Sequence, residues 1–289
     1  MLTLSGPAAT RLGRALFAPV RVLFRLLGLL RGPVVATRGG VTWSLDLEEA
    51  IDLGLYLLGI FEPGVTRVLA RLLRPGDVVI DVGANVGAHA LRMAKLVGEQ
   101  GRVFAFEPTV FAYEKLLRNL DLNPALARRV QPLRVGLTDL AGKPLPAMVS
   151  SSWSLTRPMA DIHPLDLGFG SSTGGARFTS LDGWVTETGV TRLDAVKLDV
   201  DGFEVRVLRG ALETLRRFKP LIVMEWAPHH FIDPDEPFLE CIVLLQGLGY
   251  TFQSLDGAPL EGTPETLARL VPLNTLVNVV GVPPGGLRT

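Results

Sequence analysis

Short β-branched runs and stretches with apolar residues at helical spacing follow one another along most of this chain. Val78 to Ile80 is short, β-branched and continuous, which predicts a buried strand. Ala88 to Leu96 predicts the next helix, with Ala90, Leu91, Ala94 and the stem of Lys95 at helical spacing. RVFAFE (102–107) predicts a second strand, VFAYEKLLRNLDL a helix, and RRVQPLRVGL holds a third strand. DAVKLDV (194–200) predicts a fourth strand and FEVRVLRGALETLRRF a helix. KPLIVMEW predicts a fifth strand and PFLECIVLLQGLG a helix, before strands in YTFQSL and TLVNVVGV. Strands alternating with helices predict an α/β fold with a mostly parallel sheet covered on both faces. The ending predicts an antiparallel hairpin added at one edge.

Ahead of this lies VVATRGGVTWSLDL (34–47), whose Gly-Gly between two β-rich runs predicts a small hairpin. EPGVTRVLARLL then predicts a helix, with Pro63 near its start and RPG stopping it. Residues 140–177 break the alternation and are rich in Ser, Gly and Pro, as expected of a lid or a linker. Trp153, Met159 and Phe169 argue that part of this stretch is ordered. The chain so divides into an N-terminal helix and hairpin region over residues 1–60 and an α/β domain over 61–289, with an insertion at about 140–177.

Composition narrows the classes. A chain of 289 residues with 47% hydrophobic and 20% charged positions has a sizeable globular core. Its net charge of zero gives a nucleic-acid partner nothing to attract. The single cysteine, Cys241, excludes a disulfide framework and points to a reducing, cytoplasmic compartment; in CIVLL it reads as packing. No stretch of 18 uncharged apolar residues predicts a transmembrane helix, and no small-residue cleavage pattern predicts a signal peptide. Residues 11–32 predict an apolar helix with Arg11, Arg14, Arg21 and Arg25 on one stripe. Such a helix packs on the domain, lies in a membrane surface, or pairs two subunits, and the oligomeric state stays open.

Ligands of open parallel sheets sit outside the carboxyl ends of the strands. The first strand ends in Asp81-Val82-Gly83-Ala84-Asn85-Val86-Gly87, where two glycines permit a sharp turn before a helix N-terminus. The second ends in Glu107-Pro108, the fourth in Lys197-Leu198-Asp199-Val200-Asp201-Gly202-Phe203-Glu204, and the fifth in Glu225-Trp226-Ala227-Pro228-His229-His230. Packing alone does not explain carboxylates at so many strand ends. Glu107, 26 positions beyond Asp81 at the next strand end, suits two ribose hydroxyls. A dinucleotide site wants G-x-G-x-x-G, and Asn85 stands where the middle glycine lets a pyrophosphate approach. The pattern therefore favours a nucleoside without phosphates, and Asp81 would attract an amino group or sulfonium.

DVGANVG, FAFEP, TSLDGWV and DAVKLDVDGFEVRVLRGA together resemble the FkbM family of S-adenosylmethionine-dependent methyltransferases, over roughly residues 60–255. The resemblance implies a Rossmann-like class I methyltransferase fold with a seven-stranded sheet, S-adenosylmethionine as cofactor, and methyl transfer to a hydroxyl oxygen. It implies that Asp81, Gly83, Asn85 and Gly87 line the methionine part and that Glu107 holds the ribose, with Asp139 toward the adenine. Family members commonly carry Glu where this chain has Asp201, and Asp199 and Glu204 fit the pattern better. An alcohol acceptor needs a group to take its proton, for which Asp199, His229 and His230 are the candidates. Trp153, Asp201, Glu204 and Glu225 are expected near the acceptor, a small or lipid-like molecule. A metal site from Asp199, Asp201, Glu225 and the two histidines is conceivable, but they have no tight ligand spacing such as H-E-x-x-H, so no metal ligand is assigned and whether a metal assists stays open. Lys197 is expected to neutralise a neighbouring acid, and Glu62 either to cover the cofactor or to favour its helix dipole. The competing readings are an NAD-dependent oxidoreductase, which Asn85 contradicts, and a non-catalytic S-adenosylmethionine-binding module.

Overall fold

The computed structural model describes residues 19, 22–24, 26–28, 32–139, 145–155, 169–231, 233, 235, 237–273 and 275–288. The predicted arginine stripe (Arg11, Arg14, Arg21, Arg25) and Met159 lie outside these. A hairpin of β1 (Val34–Arg38) and β2 (Val41–Leu45), turning at Gly39-Gly40, leads into α1 (Ala50–Leu58) and α2 (Pro63–Leu72). The alternating part follows as β3 (Val78–Val82), α3 (Ala90–Val97), β4 (Arg102–Phe106), α4 (Val110–Asp121), α5 (Pro124–Ala127) and β5 (Val130–Leu133). Then come β6 (Val135–Leu137), β7 (Met148–Ser152), β8 (Phe169–Ser172), β9 (Arg177–Thr179) and α6 (Leu181–Thr188). The chain returns through β10 (Ala195–Leu198), α7 (Glu204–Arg209), α8 (Leu212–Phe218) and β11 (Leu221–Trp226). It closes with a 3-10 turn at Pro228–His230, α9 (Phe238–Gly247), β12 (Thr251–Ser254), β13 (Pro259–Leu260), α10 (Pro264–Ala268) and β14 (Val277–Val282).

The main sheet has the order β13-β12-β14-β11-β10-β3-β4-β5. Five strands, from β11 across to β5, are parallel, and β14, β12 and β13 are antiparallel. The expected C-terminal hairpin is present, and β14 slots between β11 and β12. The sheet has eight strands where seven were expected, because the two-residue β13 adds an edge. Consecutive strand residues point to opposite faces, so Val79, Val103 and Ala105 enter one core while Ile80, Phe104 and Phe106 enter the other. Each such fully buried large side chain contributes about 1.5–3 kcal/mol.

The N-terminal hairpin joins the first of these cores through Trp43 and Leu45. Asn119 of α4 and Asn123, the N-cap residue of α5, tie it down: Ser44 N–H donates to Asn119 Oδ1 at 2.8 Å and Thr42 N–H to Asn123 Oδ1 at 2.9 Å. Backbone donors at the hairpin edge are thereby satisfied. Asn119 also donates to the carbonyl of Val86 at 2.9 Å, so one residue fixes both the hairpin and the loop after β3. Part of the 140–177 insertion is ordered as the β7–β8 hairpin. Among the described residues no single helix is long and apolar enough to cross a membrane.

Candidate active site

From β3 the chain proceeds outward to β4 and β5, then crosses back to β10 on the other side of β3. Strand order reverses between β3 and β10, and that reversal opens a crevice at their carboxyl ends. A cavity of ≈ 450 Å³ sits there, bounded by the ends of β3, β4, β10 and β11 and roofed by β7. This is within the usual range of about 300–1,000 Å³ for a small-molecule site.

Gly83 is where the two central strand ends meet. Its φ is +82°, and a Cβ built there would run into the Asp199 carbonyl. Gly83 therefore serves the close approach of one loop to another. Gly87, expected along the cofactor, is not on the cavity wall; a Cβ there would stand 2.6 Å from Leu116 Cδ1. It packs the motif helix against α4. Asn85 takes up the left-handed conformation at φ +47°, which asparagine tolerates better than most residues. Its N–H donates to Glu107 Oε2 at 2.9 Å, and its Nδ2 donates to the Ser151 carbonyl at 3.2 Å. Asn85 thus binds the motif loop to both the β4 end and the β7 roof.

Glu107 Oε1 accepts from Thr109 N–H at 2.9 Å and Thr109 Oγ1 at 2.6 Å. Two acceptor positions on Oε1 are thereby used, while Oε2, with only Asn85 on it, keeps one. Burial raises the Glu107 carboxyl above its ordinary value, against the pull of these donors.

Asp81, expected on the methionine part of a cofactor, is wholly buried below the cavity floor and is not on its wall. Lys197, its partner in register on β10, lies 3.9 Å from Asp81 Oδ1 and 2.8 Å from Asp199 Oδ2. Lysine is the neutralising cation expected from its alternation on the strand. Burial opposes its charge, but Asp199, Asp81 and Glu62 overcome that and raise its pKa. Asp81 itself is raised by burial.

A second polar group was not read from the sequence. Glu62 Oε2 and His89 Nε2 are 2.8 Å apart, and Asn278 Nδ2 donates to Glu62 Oε1 at 3.2 Å. Burial works against the Glu62 charge, and the hydrogen bond and charge of His89 outweigh it, leaving Glu62 below the ordinary carboxylate value. Glu62 and His89 are on the cavity wall, and Glu62 is also the N-cap residue of α2, a position compatible with both roles expected of it. The available signal was a histidine two residues after the last motif glycine.

At the other end of the cavity, Asp199, Asp201, Glu225, His229 and His230 all lie on the wall. His230 Nδ1 is 3.5 Å from Glu225 Oε2 and 4.0 Å from Asp201 Oδ1. The His229 and His230 rings are 4.3 Å apart. Gly202 (φ +98°) lets the β10 loop press on this turn: a Cβ there would be 2.5 Å from the His230 carbonyl. Burial, followed by the charges of Asp199 and Asp201, pushes Glu225 well above its ordinary value. Trp153 is also on the wall, its N–H donating to Glu49 Oε2 at 3.0 Å.

Two expected site acids turn away from the cavity. Glu204 accepts from Val200 N–H at 2.9 Å and Gly202 N–H at 3.0 Å, so it ties the β10–α7 loop together. Asp139, expected toward the adenine, faces Arg206 Nε at 3.3 Å and Arg209 Nη1 at 3.7 Å. Neither acid is on the cavity wall.

The model of the methyltransferase FkbM domain matches residues 81–252. Hexuronic acid methyltransferase AglP of Haloferax volcanii is 28% identical over 213 residues, 72% of this chain and 80% of that protein. The 31-O-demethyl-FK506 methyltransferase FkbM of Streptomyces tacrolimicus is 30% identical over 215 residues, 66% of this chain and 79% of that protein. The 2-O-methyltransferase NoeI of Sinorhizobium fredii is 23% identical over 189 residues, 62% and 75% respectively. The family match runs from the acid before the glycine turn, across every parallel strand end that follows, to the first strand of the antiparallel edge: this chain belongs to the FkbM family of S-adenosylmethionine-dependent methyltransferases.

Proposed function

We propose that the chain moves a methyl group from S-adenosylmethionine to a hydroxyl oxygen of a small polar acceptor, seated between Trp153 and the Asp201–Glu225–His230 cluster. One observation carries this: a ribose-type acceptor on Glu107 and a set of proton-accepting groups at the β10 and β11 ends share one cavity. The residues fit the donor. Glu107 Oε2 has an acceptor position for a ribose hydroxyl, and the apolar slot of Val135, Leu137 and Phe178 suits a nucleobase. Glu62 and Asp199 on the wall suit an ammonium and a sulfonium.

When bound, S-adenosylmethionine supplies a methyl group that is already activated. The remaining work of the chain is to aim the acceptor oxygen and to take its proton. Asp199 is held by Lys197 at 2.8 Å, an ion pair that already engages its carboxylate. Ionising the hydroxyl then falls to the Asp201–Glu225–His230 cluster. Two relatives are named for transfer to oxygen and one for an acidic sugar, which supports a hydroxylated acceptor. The test is incubation with methyl-labelled donor and a panel of uronic acids and glycosides. The expected product carries the label as a methyl ether stable to mild base. A base-labile ester, or label on nitrogen, would refute transfer to a hydroxyl.

We also infer that the N-terminal segment rests on an anionic membrane surface. Val22, Leu23, Leu26 and Leu27 are more than half exposed, and so are Val35, Leu57 and Leu58. Phe24 anchors the segment edge-to-face on Tyr56 of α1, at 6.1 Å between centroids. An apolar face continued by a sequence carrying four arginines suits acyl chains beneath acidic headgroups. Co-sedimentation with anionic but not neutral vesicles is expected, and L26E/L27E should abolish it. A monomer–dimer equilibrium broken by the same pair, without vesicle binding, would assign the face to a second subunit.

A further inference from the structure

We propose that Asp201, Glu225 and His230 hold a divalent cation, which takes the acceptor hydroxyl as a ligand. The proposal rests on the reading of the cavity as a hydroxyl-methylating site and names how that site ionises its substrate.

One ligand atom from each residue lies within 4.8 Å of the other two. The measured pairs, 3.5 Å and 4.0 Å, match the roughly 3–4.4 Å between ligands placed at about 2.1–2.2 Å around an octahedral ion. The donors come from two adjacent strand ends, with Asp201 on the loop after β10 and Glu225 and His230 at and beyond the end of β11. Gly202 against the His230 carbonyl holds these two segments in contact.

A second observation points to a cation independently of that spacing. Glu225 is 7% exposed and stands on the cavity wall, yet its carboxylate accepts no hydrogen bond from any described residue. The charges that bear on it most are Asp199, Asp201, Glu62 and Glu204, all acids. Lys197, the cation nearby, is spent on Asp199 and Asp81. A buried carboxylate among four others, whose nearest donor is His230 Nδ1 standing off at 3.5 Å, is costly unless a positive charge joins it.

Two carboxylates and one imidazole form a hard, mostly oxygen donor set suited to Mg²⁺ or Mn²⁺. Three protein ligands leave open positions on an octahedral ion, enough for two adjacent oxygens of one acceptor. Such an acceptor is a vicinal diol or a hydroxy acid. A ligated hydroxyl loses its proton more readily. That proton passes to His229, whose ring adjoins His230 on the wall. The acceptor oxygen then forms the new O–C bond as the S–C bond breaks, its electron pair staying on sulfur. The products are a methyl ether and a neutral thioether.

The test uses the full chain stripped with chelator, titrated with Mn²⁺ alone and followed by the loss of the free-ion electron paramagnetic resonance signal. One site is expected, displaced by excess Mg²⁺, with affinity at least tenfold weaker in E225Q and in H230A. Folding is checked by circular dichroism and by retained S-adenosylhomocysteine binding. E225Q removes a buried anion, so its metal-free melting temperature should rise, which separates lost ligation from lost structure. Mn²⁺ remaining free to millimolar concentration, or binding unchanged in both variants, would overturn the proposal. If methyl ether still formed under chelator in that case, His230 would be the base and hydroxyl methylation would stand. If Mn²⁺ bound but no methyl ether formed with any hydroxylated acceptor, the cation site would stand and that reading would fall.

Discussion

Replacing Glu107 with Gln separates holding the donor from holding the loop. In the wild type, Oε1 accepts from Thr109 N–H and Oγ1, and Oε2 accepts from Asn85 N–H. A glutamine has one carbonyl oxygen for these two sides. Whichever way its amide turns, one buried backbone N–H meets an NH₂ group and is left without an acceptor. That orphan costs about 1–3 kcal/mol. The cost is present with and without donor, so it bears on stability and not on affinity. Part of it is offset, since burial already disfavours the Glu107 charge. With an unfolding entropy of roughly 2.1 cal/mol/K per residue, each kcal/mol moves the melting point of this chain by about 1.6 °C. The apo melting point should fall by no more than about 5 °C. Affinity loses something else. A ribose hydroxyl on a carboxylate contributes about 1.5–3 kcal/mol, and one on a neutral amide about 0.5–1.5. The difference of about 1–2 kcal/mol weakens S-adenosylhomocysteine binding by roughly 5- to 30-fold. Calorimetric titration, run beside thermal melts, reads both quantities. Affinity within twofold of wild type would refute the ribose assignment, whatever the melt shows.

G83A forces a side chain into the Asp199 carbonyl at a φ of +82°, which adds about 1–2 kcal/mol of backbone strain to the clash; soluble yield and melting point should both drop. K197M leaves Asp199 and the buried Asp81 without their cation, a loss of about 3–5 kcal/mol in a urea melt at pH 8 that shrinks as pH falls, because burial raises the Asp81 carboxyl. Glu204 is pushed up to about 7 by burial, so the folded chain binds its proton more tightly than the unfolded chain does. Its contribution is full below the unfolded value of 4.5 and is lost as pH rises through 7, costing the metal-free chain about 3 kcal/mol between those limits. E204Q should flatten that part of the pH profile of denaturant melts; a profile unchanged in shape would remove Glu204 from the account.

Local patterns in the sequence reached the parallel strands, the Gly-Gly hairpin and the crevice at the strand ends, because each is written in contiguous residues. Helix α1 escaped: AIDLGLYLL is apolar but for Asp52 and so shows no polar face, and its Glu49 N-cap makes no side-chain capping bond to announce it. Strand β6 was read as a continuation of the third strand, yet it leaves the main sheet and pairs with β9, a partner 42 positions away. Carboxylates at strand ends could be counted from the sequence, but not their direction. Asp199, Asp201 and Glu225 face the cavity, while Glu204 folds back on two backbone N–H groups and Asp139 goes to two arginines. Both kinds of acid look alike in the chain, and only the surrounding loop decides. The Glu62–His89–Asn278 set illustrates the same limit. Its members stand far apart in sequence, and the register that puts Asn278 opposite Glu225 is a property of the assembled sheet.

The central claim is that the nucleoside lies over Glu107 and turns its sulfur toward the ends of β10 and β11. A crystal structure of the chain with S-adenosylhomocysteine tests it directly. The account predicts a ribose hydroxyl within hydrogen-bonding distance of Glu107 Oε2, and the sulfur directed at the space before Glu225 and His230. A ribose bound elsewhere, or a sulfur directed away from that cluster, would contradict it.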